Sequence, residues 1–155
     1  MKKIIKIIVG ISFIFYLFVL VMLLFLNSRG GAWPTDFSLL ESIKLNSNVV
    51  PFKTISIYIR AIFDGSMNMD IPIKNLFGNL FMFLPMGIYA PFFISKVNNV
   101  KRFIVLMIIL LFVIESVQLI TRRGSFDIDD FILNIIGAFI GFGIWRLTVV
   151  QKLLK

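Results

Sequence analysis

Residues 103–121 read FIVLMIILLFVIESVQLIT, and Glu115 is their single ionisable side chain. A helix needs roughly 20 apolar residues, at about 1.5 Å rise each, to cross the ~30 Å hydrocarbon core of a bilayer. This stretch meets that length. Three others match it: residues 7–28, uncharged after Lys2, Lys3 and Lys6; residues 75–95, also uncharged; and residues 131–150, charged only at Arg146. The sequence therefore predicts an all-α integral membrane protein, one domain over residues 1–155. Its four transmembrane helices lie at about 7–27, 75–95, 103–121 and 131–150, and an external loop spans 28–74.

Composition agrees. The chain of 155 residues is 59% hydrophobic and 15% charged, with a mean hydropathy of +0.96. Soluble domains average about 45–50% apolar and about 25% charged residues. A soluble enzyme, a disordered tail and a disulfide-rich secreted module are excluded. There is no Cys and no His, so thiolate chemistry, Cys-ligated zinc and imidazole bases are absent. Any metal would be a hard cation held by oxygens. The basic start followed by an apolar stretch is longer than the roughly 7–15 residues of a signal-peptide core, which predicts a retained span.

The loop is patterned. In residues 52–64, Ile55, Tyr58, Ile59, Ile62 and Phe63 recur at helical spacing, and with Lys53 and Arg60 beside them they predict an amphipathic helix lying in the membrane interface. The alternation of Ile55, Ile57 and Ile59 leaves a strand open. Gly30–Gly31 and Asp64–Gly65 predict turns. Pro85 and Pro91 predict a kinked second span packed inside a bundle.

The formal charge of +8 follows topology. With the N-terminus inside, Lys2, Lys3, Lys6, Lys96, Lys101, Arg102, Arg146, Lys152 and Lys155 face the cytoplasm with no acid among them. Seven basic and seven acidic residues balance outside. That asymmetry places both termini in the cytoplasm and suits anionic lipid, not nucleic acid.

Polar residues inside spans normally face a bundle interior. Glu115 lies about 9 Å below the end of its span at Thr121, and Gln118 shares its face. Asn75 and Asn79 lie four apart on the second span. Asp127, Asp130 and Asn134 form a stripe entering the fourth, continued by Gly137 and Gly141, whose spacing lets another helix approach closely. Asp127 or Asp129 also suits the cap of that helix. All fall near the outer end, which predicts one outward-facing pocket. Arg122 and Arg123 stand beside it as phosphate donors. Met82 and Met86 read as core filling. The alternative for the amides is simple glue between helices.

These blocks, Asn79-x5-Pro85-x-Gly87, Glu115-x2-Gln118 and Asp127-x2-Asp130-x3-Asn134-x2-Gly137, follow Asn48-Val49-Val50-Pro51-Phe52-Lys53. Together they resemble the VanZ-like family of small membrane proteins, with Val49 where that family often has Leu. The resemblance covers about residues 48–141. It implies a four-helix protein of bacterial envelopes whose namesake is associated with resistance to teicoplanin-type glycopeptide antibiotics. It also implies that Asn79, Glu115, Gln118, Asp127, Asp130 and Asn134 carry the polar pattern, while Pro51, Phe52, Pro85, Gly87 and Gly137 shape the helices.

Two functional expectations follow. In the first, the protein sits in the bacterial cytoplasmic membrane and binds a polar lipid or lipid-linked wall precursor in the acid and amide pocket. Asn75, Asn79, Glu115, Gln118, Arg122, Arg123, Asp127, Asp130 and Asn134 would line that site and hold it. In the second, it is a membrane enzyme acting on such a lipid, with Glu115 as general base and Asp127 and Asp130 holding a hard divalent cation such as Mg²⁺. The sequence has no nucleophile–base constellation and no cofactor motif. A homo-oligomer through Gly137 and Gly141 is a further expectation.

Overall fold

The structure is a computed structural model and describes residues 2–26 and 38–154. The Gly30–Gly31 turn lies outside the described residues. Among the described residues, four helices are long and apolar enough to cross a membrane: Lys2–Leu26, Asp70–Phe93, Val100–Ile120 and Ile128–Arg146. The first is α1 (Lys2–Val21) closed by a π-helical turn, Met22–Leu26. The loop holds α2 (Leu39–Leu45) and α3 (Lys53–Asp64). The second span is two helices, α4 (Asp70–Met82) and α5 (Leu84–Phe93). The third is α6 (Val100–Ile120) and the fourth α7 (Ile128–Arg146), followed by α8 (Thr148–Leu154). We call the end carrying residues 38–70 and 121–127 the loop end, and the other the termini end.

The second span starts at Asp70, five residues before the expected 75. Absence of charge marks the hydrocarbon, not the helix. Asp70 suits a first turn, Pro72 is tolerated there, and Lys74 pairs with Asp70 at 3.0 Å one turn on. For the same reason the fourth span starts at Ile128 rather than 131. It stops at Arg146 because Leu147 turns extended. The expected kink is a break at Phe83: Pro85 lacks an N–H, and its ring crowds the carbonyl four residues back. Pro91 remains inside α5.

The tightest packing joins α4 and α5 to α7. A Cβ placed on Gly137 would lie 1.8 Å from the Leu80 carbonyl oxygen, and one on Gly141 1.9 Å from that of Leu84. From the other side, a Cβ on Gly87 would lie 2.1 Å from the Ala138 carbonyl oxygen. The two helices meet backbone to backbone, as small residues permit in lipid. This face is thus consumed within the chain. Phe103 stacks on Phe142, ring centres 4.4 Å apart, and meets Phe139 edge-on. Met82 and Met86 fill the core. At the termini end, the buried Trp145 donates its indole N–H to Asn98 Oδ1 at 3.0 Å.

α1 attaches more loosely. Tyr16 donates its hydroxyl to the Met82 carbonyl at 2.9 Å, beside the break, and Tyr89 donates to Ser12 Oγ at 3.0 Å.

α3 is the expected helix, not a strand. It ends at Gly65, whose φ of +67° suits the predicted turn. Its expected apolar face divides. Ile55, Tyr58 and Ile62 turn toward the bundle, while Ile59 and Phe63 are exposed, Phe63 by 85%. The apolar arc is wider than the bundle surface that α3 covers. With Val49, Val50 and Phe52 also exposed, the outward half suits the lipid interface.

Candidate functional site

The site is organised by two short segments distant in sequence. Ser47–Asn48 (β1) pairs in parallel with Phe126–Asp127 (β2), Ser47 opposite Phe126 and Asn48 opposite Asp127. Asp127 then caps α7, accepting the Asp129 N–H at 2.9 Å. Its side chain also accepts from Asn48 Nδ2 at 3.0 Å and from Thr54 Oγ1 at 2.6 Å. Both its oxygens are engaged in holding the two segments together.

Asp129 caps a different helix. It is fully buried and receives three backbone N–H groups from the start of α3. Oδ1 accepts from Phe52 at 2.5 Å, and Oδ2 accepts from Thr54 at 2.7 Å and Ile55 at 3.1 Å. A helix begins with N–H groups that lack intrahelical partners and carry partial positive charge. A buried carboxylate satisfies both needs. Phe52, in the left-handed region at φ 64°, turns the chain so that these groups converge.

Pinned this way, α3 roofs a polar cavity of about 150 Å³ at the loop end. α3 contributes Thr54 and Tyr58, α4 Ile71, Asn75 and Asn79, and α6 Glu115 and Gln118. The turn adds Arg123, Gly124 and Ser125, and the start of α7 adds Asp127, Asp130 and Asn134. Glu115, Gln118, Asn79 and Asn134 are all buried. Asn79 donates its amide N–H to Asp130 Oδ1. Gln118 donates to the Leu24 carbonyl at 2.8 Å, inside the π turn. Asn75 donates to the Ile71 carbonyl at 2.8 Å. Asn134 Oδ1 is buried and accepts no hydrogen bond among the described residues. Burial, with the neighbouring Asp130 and Asp127 carboxylates, raises the Tyr58 pKa above its ordinary value, so its hydroxyl stays a donor.

Eight of the nine residues expected at the pocket therefore line one cavity: Asn75, Asn79, Glu115, Gln118, Arg123, Asp127, Asp130 and Asn134. Arg122 is the exception. It sits at φ 54° in the turn ending α6, a backbone reversal that separates it from Arg123, and it is absent from the wall. The sequence reading missed Asp129's part, the roof residues Thr54 and Tyr58, and Ser125. One signal was present: Pro51-Phe52 opens an amphipathic helix that has no capping side chain of its own, so its first N–H groups needed an acceptor from another segment or from water. Among the described residues no group of three or more Asp or Glu is arranged to hold a metal ion.

Among the described residues, four helices of spanning length, with acids and amides gathered around one largely buried polar cavity, define a small multi-pass membrane protein with a buried polar site. The chain belongs to the VanZ/LLP1 family, whose family model matches residues 13–150. No curated protein and no solved structure gives a significant match.

Proposed function

We propose that this protein is a bacterial cell-envelope factor of the VanZ type that holds a polar lipid headgroup, or part of a lipid-linked wall precursor, in the loop-end cavity. Through that binding it lowers susceptibility to teicoplanin-like glycopeptide antibiotics. The observation that carries this reading is the chamber itself. It sets the buried Asn134 Oδ1, which accepts no hydrogen bond among the described residues, on the wall of an open volume beside the buried Glu115, and a buried acceptor of this kind is costly inside a membrane until a donor meets it. Binding is favoured over catalysis because Asp127 commits both oxygens to internal hydrogen bonds and Asp130 receives Asn79.

Orientation follows from charge. The termini end carries Lys2, Lys3, Lys6, Lys96, Lys101, Arg102, Arg146 and Lys152, the pattern of a cytoplasmic face. The cavity then opens outward in the cytoplasmic membrane, where glycopeptides act. A Lys44→Cys variant should be labelled by a membrane-impermeant maleimide in intact cells. Labelling only after lysis would reverse the orientation and exclude an outward site.

The function is tested in the host strain. Deletion should raise teicoplanin susceptibility, and Glu115→Gln at unchanged membrane level should match the deletion. If Glu115→Gln and Asp130→Asn both keep full resistance, the cavity is helix glue and the binding reading fails.

A further inference from the structure

A second hollow adjoins the polar cavity. It is an apolar groove of about 740 Å³ between the loop-end halves of α1 and α4, with Tyr16, Leu20 and Leu23 on one wall and Phe81, Met82 and Pro85 on the other. Phe81 is 58% exposed and Leu23 37%, as expected of a channel open sideways to lipid. From Asp70 to Pro85 its α4–α5 wall runs about 22 Å at 1.5 Å per residue, about half again the ~15 Å hydrocarbon depth of one leaflet and so long enough to reach from the interface through it. Ile71 and Asn75 line both hollows. The groove and the cavity therefore lie side by side with Ile71 and Asn75 as their shared wall, and a lipid lying across that wall would reach both.

The cavity limits the headgroup by size and by charge. A protein cavity of 150 Å³ takes a molecule of about six heavy atoms, such as benzene. A disaccharide-peptide headgroup therefore stays largely outside. The walls carry three carboxylates, Glu115, Asp127 and Asp130, against one guanidinium, Arg123, which is exposed. A phosphate deep in this chamber would be repelled. The buried Asn134 Oδ1, which accepts no hydrogen bond among the described residues, calls for a donor. A compact cationic donor meets all three conditions.

We infer that the site takes a zwitterionic phospholipid bearing a primary ammonium, with the ammonium in the polar cavity against Glu115, Asp130 and Asn134 Oδ1 and one chain in the α1–α4 groove. The phosphate then remains at the mouth, within reach of Arg123, whose fork suits it. This inference rests on the lipid-binding reading above and narrows it to one headgroup class.

The test uses the full chain in phosphatidylcholine nanodiscs, whose quaternary ammonium has no N–H to donate. The discs are doped with phosphatidylethanolamine or phosphatidylglycerol carrying the same diazirine-labelled chain. Photolysis and peptide mapping should place ethanolamine-lipid adducts on residues 16–23 and 81–85. The yield should be about tenfold above that of the glycerol lipid, the effect of one charge-assisted hydrogen bond. Asn134→Leu and Glu115→Gln should each bring the ethanolamine yield toward the glycerol level without altering the adduct positions. Equal groove labelling by both lipids would overturn the ammonium assignment and leave lipid binding standing. Groove labelling no greater than at the lipid-exposed face around Ile109, with either lipid, would overturn both. These comparisons use the unsubstituted chain, so they decide the matter even if a variant fails to fold.

Discussion

Gly137→Leu is expected to destabilise the folded bundle severely. The Cβ alone would come within 1.8 Å of the Leu80 carbonyl oxygen and 2.9 Å of its carbonyl carbon. The obstacle is helix backbone and cannot rotate aside as a side chain would. Overpacking a well-filled core costs about 1–3 kcal/mol when side chains can adjust, so separating two packed backbones should exceed about 3 kcal/mol. At roughly 2–4 °C per kcal/mol for a chain of this size, the melting temperature in detergent should fall by about 10 °C, with loss of monodisperse protein. Even Gly137→Ala should be harmful. Gly143, on the same helix, has nothing within 4 Å of its Cβ position, so Gly143→Ala should be neutral. Equal melting temperatures for Gly137→Leu and Gly143→Leu would refute the backbone-contact account.

Asp129→Ala is the second large effect, and it is local. Removing the carboxylate leaves the N–H groups of Phe52, Thr54 and Ile55 without their acceptor. Each buried unsatisfied donor costs about 1–3 kcal/mol. Partial hydration of the opened segment limits the sum to about 3–5 kcal/mol, the range for breaking a buried charge interaction. Because α3 otherwise presents much apolar surface to the outside, it should undock while the spans persist. Hydrogen exchange should accelerate over residues 47–64 and stay unchanged in α6 and α7. Asp129→Asn should be nearly as damaging. Its amide would turn N–H groups toward either the Phe52 donor or the Thr54 and Ile55 donors. Since α3 supplies Thr54 and Tyr58 to the cavity, ligand binding should fall with docking. Unchanged protection in residues 52–64 would show that α3 is held by its apolar contacts alone.

Much of this architecture was legible in the chain because it depends on local quantities. Length and hydropathy located the spans, and 3.6-residue periodicity found α3. Depth counting along each span brought Asn79, Glu115, Gln118, Asp130 and Asn134 to one level, and the structure gathers them around one cavity. The Gly137–Gly141 spacing pointed to close helix approach, and the partner is α4–α5 of the same chain.

The unread parts depend on pairings between distant segments. Asp127, Asp129 and Asp130 are near neighbours with similar sequence signals. Yet one caps its own helix, one caps a helix 74–77 residues earlier in the chain, and one meets Asn79 in the cavity. Which carboxylate does which is set by where β1 lies against β2, a contact across nearly 80 residues that leaves no periodic trace. The same holds for Gln118, whose partner is a carbonyl exposed by the π turn of α1, and for Arg122, turned from the cavity by a left-handed residue. The sequence by itself determined the spans, the charge asymmetry and the depth of each polar group, because transfer into lipid and helical hydrogen bonding act residue by residue. Only the tertiary structure decided which polar groups hold the fold and which face the cavity, because that depends on donors and acceptors brought together by packing.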